Sequence, residues 1–267
     1  MAVMTARRAI VRMPVDAEPA STPDDLVVES PLVLGLDNAG GEAIATLMRT
    51  PGHDLELAAG WLVVESGVRR ADDIVTLRAC RDDDTDRVHI RLRDGVRPPR
   101  PRAFVTSAAC GVCSADVLDL KPLRSAAPHT EGWTARREVL AELPDTMRAR
   151  QRTFDRTGGV HAAALADGRG ELLVVREDVG RHNAVDKVVG KVLQDGALPA
   201  TDHLLVVSGR VSFEIVQKAV AAGVAGIVAV SAPSDLAVDL AREYDLLLAG
   251  MVRDGRLNVY AGADLVA

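Results

Sequence analysis

Apolar and polar positions change rhythm partway along the chain. Between Leu26 and Leu92 apolar residues come in short runs bounded by turn chemistry, the pattern of strands. Leu26 to Leu36, holding Val27, Val28, Val33 and Leu34, reads as a strand. Asp37-Asn38-Ala39-Gly40-Gly41 is a turn, and Ala43 to Met48 returns as the second arm of a hairpin. Arg49-Thr50-Pro51-Gly52-His53-Asp54 halts it. Asp54 is placed to cap a helix whose apolar positions include Leu55, Ala58, Ala59 and Leu62. A second hairpin follows, Ile74 to Ala79 and Val88 to Leu92, around the acidic turn at 82–86. The pattern predicts a small ββαββ mixed-sheet domain over 26–120 that ends in a cysteine loop. Residues 1–25 show no sustained periodicity and read as a flexible leader.

Residues 121–134, with Lys121-Pro122, Pro128 and Gly132, read as a linker. Beyond it the spacing lengthens. Val139 to Thr153 is helical in pattern, and His161 to Ala166 with Glu171 to Arg176 form a hairpin around Asp167-Gly168. Val185, Val188, Val189, Val192 and Leu193 make the stripe of an amphipathic helix that begins near Asn183. Strands at Leu204 to Val207 and Gly226 to Val230 each lead into a helix, and Leu246 to Val252 with Leu257 to Tyr260 close the chain as a hairpin. Such alternation predicts an α/β domain over 135–267, a sheet covered by helices, and an α+β chain overall.

Composition narrows the class. The chain has 267 residues, 48% apolar and 26% charged, which suits folded domains with real cores. Its net charge of −6 speaks against a non-specific nucleic-acid binder. No apolar run is long enough to cross a membrane as a helix, and Arg7 and Arg8 are not followed by a signal-type core. Three cysteines do not make a disulfide framework, so a reducing cytoplasm fits best.

Two of those cysteines form Cys110-Gly111-Val112-Cys113, downstream of the basic stretch Arg97-Pro98-Pro99-Arg100-Pro101-Arg102. Guanidinium groups beside a thiol stabilise its thiolate. Spacing alone leaves half a zinc site, a dithiol redox pair, a sulfur-carrying nucleophile and chance all open. In the second half three strand-to-helix junctions are polar: Glu177 to Asn183, Ser208 to Ser212, and Ser231 to Ser234. Junctions of this kind gather where ligands bind in open α/β sheets, and helix N-termini favour anions. Arg181 and Arg210 lie in two of them, and Arg253 and Arg256 in the last hairpin. A phosphorylated ligand is one reading; ordinary capping with surface arginines is the other. His53, His161 and His182 have the same two readings, structural or functional.

Long strings in the chain carry a resemblance. Met48 to Asp54, Cys110 to Cys113, Thr157-Gly158-Gly159-Val160-His161-Ala162, Arg176 to Lys187 and Ser208 to Ala219 occur in this order, followed by Ser231-Ala232-Pro233 and Asn258-Val259-Tyr260. Together they closely resemble the formate dehydrogenase accessory sulfurtransferase family from about residue 26 to the C-terminus.

The resemblance implies a cytoplasmic, homodimeric sulfur carrier whose second domain has the cytidine-deaminase-like fold. Such a protein takes sulfur from a cysteine desulfurase as a persulfide. It passes the sulfur to the molybdenum or tungsten of the bis(molybdopterin guanine dinucleotide) cofactor of formate dehydrogenase. By position Cys110 corresponds to the persulfide-bearing cysteine and Cys113 to its neighbour. Met251, Val252, Arg253, Asp254, Gly255 and Arg256 correspond to the cofactor-binding segment, with Met251 where the family usually has an aromatic residue. Arg181, His182, Ser208, Gly209 and Arg210 are the candidate phosphate contacts, and GDP is the expected partial ligand.

Other classes stay in view. A deaminase needs an H-x-E string ahead of its C-x-x-C, but His129-Thr130-Glu131 follows it and lies in the linker. A thioredoxin-like pair belongs in a βαβ context, whereas this one follows a hairpin. A cofactor-binding chaperone that moves no sulfur, and a structural zinc held by Cys80, Cys110, Cys113 and a histidine, remain as alternatives.

Overall fold

The structure is a computed structural model that describes residues 3–82, 85–99 and 132–267. It is mixed α/β, with three sheets and six α-helices among the described residues. The first sheet is an antiparallel pair, β1 (Thr5–Arg12) and β2 (Ala20–Val27). The expectation of a leader without regular structure at residues 1–25 is thereby corrected. Apolar alternation misses this hairpin because its ladder is matched by charge: Arg7 faces Asp25 and Arg8 faces Asp24.

The second sheet has the order β4-β3-β6-β5, built from β3 (Ser30–Leu36), β4 (Glu42–Arg49), β5 (Ile74–Asp82) and β6 (Thr85–Leu92). Strands β3 and β6 run parallel and the other neighbours antiparallel, so the sheet is mixed as the pattern predicts. The run expected from Leu26 to Leu36 is divided between β2 and β3. Helix α1 (Asp54–Glu65) follows β4, but Asp54 does not cap it; His53, in the left-handed region, holds the cap position. The Asp54 carboxylate instead accepts two hydrogen bonds from the fully buried Arg49, Nε to Oδ1 and Nη2 to Oδ2, both 3.0 Å. A bidentate charged pair outcompetes a single capping bond.

The third sheet has the order β12-β11-β10-β9-β7-β8. Its strands are β7 (His161–Asp167), β8 (Leu172–Asp178), β9 (His203–Val207), β10 (Gly226–Ala229), β11 (Leu247–Arg253) and β12 (Arg256–Ala261). The three central strands β9, β10 and β11 are parallel. Alternate residues serve two cores. Leu205, Val207, Ile227 and Leu248 join the core shared with α1, α4 (Arg181–Gln194), α5 (Phe213–Ala222) and α6 (Asp235–Glu243). Leu204, Val206, Val228 and Leu247 face α2 (Arg137–Arg148) on the other side. The single helix expected over Val139 to Thr153 ends at Arg148, and a short α3 (Arg152–Thr157) begins afresh. Gln151 leaves helical geometry, and the Glu177 carboxylate accepts the Thr153 and Phe154 N–H groups at 2.9 and 2.8 Å.

Among the described residues the two halves meet at several places, including an exposed pair of Arg156 with Asp25 at 3.2 Å, and two of these contacts are largely buried. Helices α1 and α4 cross so closely that a Cβ on Gly60 would lie 1.9 Å from the Asp186 carbonyl oxygen. One on Gly190 would lie 1.8 Å from that of Glu56. Beside this crossing Lys187 and Asp178, both fully buried, pair at 2.7 Å. Lys187 Nζ also donates to the Thr50 carbonyl at 2.9 Å, and Asp178 Oδ2 accepts the Thr50 N–H at 3.1 Å. Asn183 Nδ2 donates to the Met48 carbonyl at 2.7 Å and to Asp178 Oδ1 at 3.0 Å. Lys187→Met should therefore cost about 3–5 kcal/mol of unfolding free energy, because it leaves a buried carboxylate uncompensated. Lys191→Met, which breaks a solvent-exposed pair with Asp195 one turn on, should cost under about 1 kcal/mol. Urea denaturation of both variants measures the contrast.

A second clasp joins Arg176 of β8 to Glu56 of α1 at 2.5 and 2.8 Å, with His53 Nδ1 3.3 Å from the same carboxylate. Burial alone would raise the Glu56 pKa, but the hydrogen bonds and charges of Arg176 and His53 override it and bring it from 4.5 down to about 2. The unfolded chain then binds this proton more tightly than the folded one. The stabilisation is complete above pH 4.5 and fades as pH falls toward about 2. Glu56→Gln should flatten the loss of stability across that window, as read by thermal melts at stepped pH.

Candidate functional site

Beyond the carboxyl ends of β9, β10 and β11 lies a cavity of about 560 Å³. Ser208, Val230, Val252 and Arg253 stand at the strand ends. Gly158, Gly159, Val160 and His161 enter β7 beside them, and Asp145, Met147, Arg148, Gln151 and Phe154 form a roof from α2 and α3. The site sits where the topology of an open α/β sheet leaves a crevice. Its volume falls in the ordinary range of small-molecule sites.

Of the sequence-predicted residues, Ser208, Val252 and Arg253 line this crevice, whereas Arg181, His182, Gly209 and Arg210 are not part of its wall. The Ser208 hydroxyl accepts the Ala162 N–H at 2.9 Å and lies 3.4 Å from His161 Nδ1. Gly209 is packed so tightly that a Cβ there would stand 3.2 Å from His161 Nδ1 and 3.5 Å from Arg181 Cδ. Arg181 opens α4 next to it. Its Nε is buried without a hydrogen-bond partner, and burial followed by the nearby Arg210 charge lowers its pKa. Arg210 is exposed and, like Arg253, makes no ion pair among the described residues. Two neighbouring cations, one with an unmet buried donor, are chemically complementary to an oxyanion. His182 is engaged elsewhere. Its Nε2 lies 2.9 Å from Glu214 Oε2 and 3.2 Å from Ser212 Oγ, tying α4 to the start of α5.

The closing hairpin is divided as well. Val252 and Arg253 face the cavity, whereas Met251 does not line it. Met251 adopts φ 54° within an irregular stretch of the β11–β12 pairing, and its N–H donates to the Ser231 carbonyl at 3.2 Å. Asp254 and Gly255 make the turn, both at positive φ. Gly255 and Arg256 line a second groove against α2, with Glu138 and Glu142 opposite, which borders the cavity at Asp145. Cys110 and Cys113 lie outside the described residues. Cys80 is a free, partly exposed thiol on β5.

His161, noted in the sequence for its place beside a turn, proves central to the crevice. Burial, then the charges of Arg181 and His182, hold its pKa below the ordinary value of 6.5, and Asp178 only partly offsets them. The imidazole is therefore neutral at neutral pH and meets Ser208 as a hydrogen-bonding group rather than as a charge. Asp145, Arg148 and Phe154 carry no signal in the sequence, because an amphipathic helix face looks the same whether it roofs a cavity or meets water.

Residues 27–267 match the model of the FdhD/NarQ family. A protein of Streptomyces coelicolor named Sulfur carrier protein FdhD is 46% identical over 278 aligned residues, covering 100% of this chain and 97% of its own. A protein of the same name from Sulfolobus acidocaldarius is 37% identical over 257, covering 96% and 97%. The crystal structure of a formate dehydrogenase accessory protein from Desulfotalea psychrophila superposes with a TM-score of 0.77 at 22% identity. It covers 99% of this chain and 100% of that one, which shows a shared fold. The chain belongs to the FdhD/NarQ family.

Proposed function

We propose that this protein is a cytoplasmic sulfur carrier that supplies sulfur to the molybdenum or tungsten cofactor of a formate dehydrogenase. The observation that carries the reading is full-length similarity, at 46% identity, to a protein named for sulfur carriage. The donor is a cysteine desulfurase. The Cys110 thiolate attacks the outer sulfur of the donor's persulfide, the donor's S–S bond breaks, and its cysteine leaves as thiolate. Cys110 then bears the persulfide. Attack of the Cys113 thiolate on the Cys110 sulfur would release hydrosulfide and leave a disulfide, which balances the electrons and makes Cys113 an accessory to delivery. On family grounds the carrier acts as a homodimer.

The substrate end of the reading is the guanine nucleotide portion of bis(molybdopterin guanine dinucleotide). Two observations support this reading: the crevice is of a size to take one nucleotide arm, and Arg181, next to Ser208 and Gly209 though outside the cavity wall, offers a buried donor without a partner beside Arg210. In this arrangement Arg181, Arg210 and Arg253 hold phosphate, Gly209 lets it approach the backbone, and Ser208 with neutral His161 supplies polar contacts next to it.

Incubation with a cysteine desulfurase and cysteine should add one sulfur to the wild type, about 32 Da and removable by reductant, in intact-mass analysis. Cys110→Ala should abolish both this gain and activation of formate dehydrogenase. Cys113→Ala should retain the mass gain. Full activation by the Cys110 variant would overturn sulfur carriage and leave a cofactor-binding chaperone.

For the nucleotide end, calorimetric titration should show GDP binding that Arg210→Ala or Arg253→Ala weakens about tenfold or more. Equal affinity for GDP and guanosine, untouched by either change, would move the phosphate site elsewhere.

A further inference from the structure

The roof of the crevice contributes features that phosphate binding does not use. The guanidinium of Arg148 lies 4.5 Å from the centroid of the Phe154 ring and pairs with Asp155 Oδ1 at 2.6 Å, both charged side chains being about half exposed. Phe154 is fixed from behind, since its N–H donates to Glu177 Oε1. Among the described residues Phe154 is the sole Phe, Tyr or Trp on the cavity wall, because the closing hairpin presents Val252 and Arg253 there and turns Met251 away. One turn before Arg148 on α2, Asp145 lines the cavity at its border with the second groove, whose wall it shares. Its side chain is exposed and makes no hydrogen bond or ion pair among the described residues.

These groups match the two distinguishing properties of a guanine ring. A flat heteroaromatic system stacks on an aromatic ring or on a guanidinium. Guanine's N1–H and N2–H₂ are adjacent donors, and an ionised carboxylate is an acceptor with two oxygens. Adenine offers a donor beside an acceptor on the same edge, so a carboxylate meets a lone pair there. The hydrogen-bonding mismatch discriminates more sharply than ring shape does.

We propose that Asp145 is the guanine-selecting residue of the crevice, reading the base edge while the Arg148–Phe154 stack holds the base plane. The proposal rests on the nucleotide reading above and adds the source of its selectivity. It places the base under α2 and α3 and the phosphates toward Ser208, Arg253 and the Arg181–Arg210 pair.

The test is a calorimetric titration of GDP, inosine diphosphate, ADP and pyrophosphate against the full chain and its variants. The wild type should rank GDP above inosine diphosphate, which lacks the N2 amino group, and both above ADP. Asp145→Asn should lower GDP affinity about tenfold or more and close the gap to ADP, with pyrophosphate affinity and melting temperature unchanged. Phe154→Leu should weaken GDP and ADP alike. A GDP-to-ADP ratio preserved in Asp145→Asn overturns the proposal. If Arg253→Ala still weakens GDP in that case, the nucleotide reading stands without it; a wild type that binds neither nucleotide overturns both.

Discussion

How the two halves meet follows from the buried pair between Lys187 and Asp178. An ammonium and a carboxylate removed from water are tolerable only when each remaining donor and acceptor is met. Here Thr50 meets them from the N-terminal half, through its N–H to Asp178 and its carbonyl to Lys187, while Thr50 Oγ1 accepts the Val179 N–H. Asn183 completes the set by reaching Met48. Breaking the contact between the halves would strand several buried polar groups at once. The glycines at 60 and 190 make the same demand sterically, since α1 and α4 can meet at this distance only without side chains there.

This junction also sets the crevice. Asp178 ends β8, Gly180 caps α4 with its N–H on Asp178 Oδ1, and Arg181 begins the helix directly after. The position of the Arg181 donor is thus fixed by a network whose far side is Thr50. Glu177, one residue before Asp178, anchors α3 and with it Phe154 in the roof. A single short string, Glu177 to Lys187, therefore divides its labour. Glu177, Asp178, Asn183 and Lys187 hold parts together, and Arg181 stands beside the site.

The crevice is walled by three kinds of element. Its floor is the ends of parallel strands, buried on both faces. Its roof hangs on α2 and the six-residue α3, fastened by Glu177 and by the packing of Leu140, Leu143 and Met147 on the sheet. Arg253 enters on a hairpin whose turn needs positive φ at Asp254 and Gly255.

Elements marked by apolar runs or stripes between turn signals were settled by the order of residues alone. The strands β3, β4, β6, β7, β9, β10 and β11 and the helices α1, α4, α5 and α6 were all legible to within a few residues. Local chemistry also marked the polar junctions at Arg181 and Ser208. Packing in three dimensions decided what no local pattern encodes. The β1–β2 hairpin is matched by cross-strand charges that only pairing reveals. Asp54 abandons a capping role for Arg49, and His182 turns from the crevice toward Glu214, because partners distant in sequence bind them better than their neighbours can. Arg256 falls in a different groove from Arg253, since two left-handed residues reverse the chain between them. Asp145, Arg148 and Phe154 reach the crevice because α2 crosses the sheet on the side opposite α4, a choice made by packing whole helices rather than by any residue's own preference.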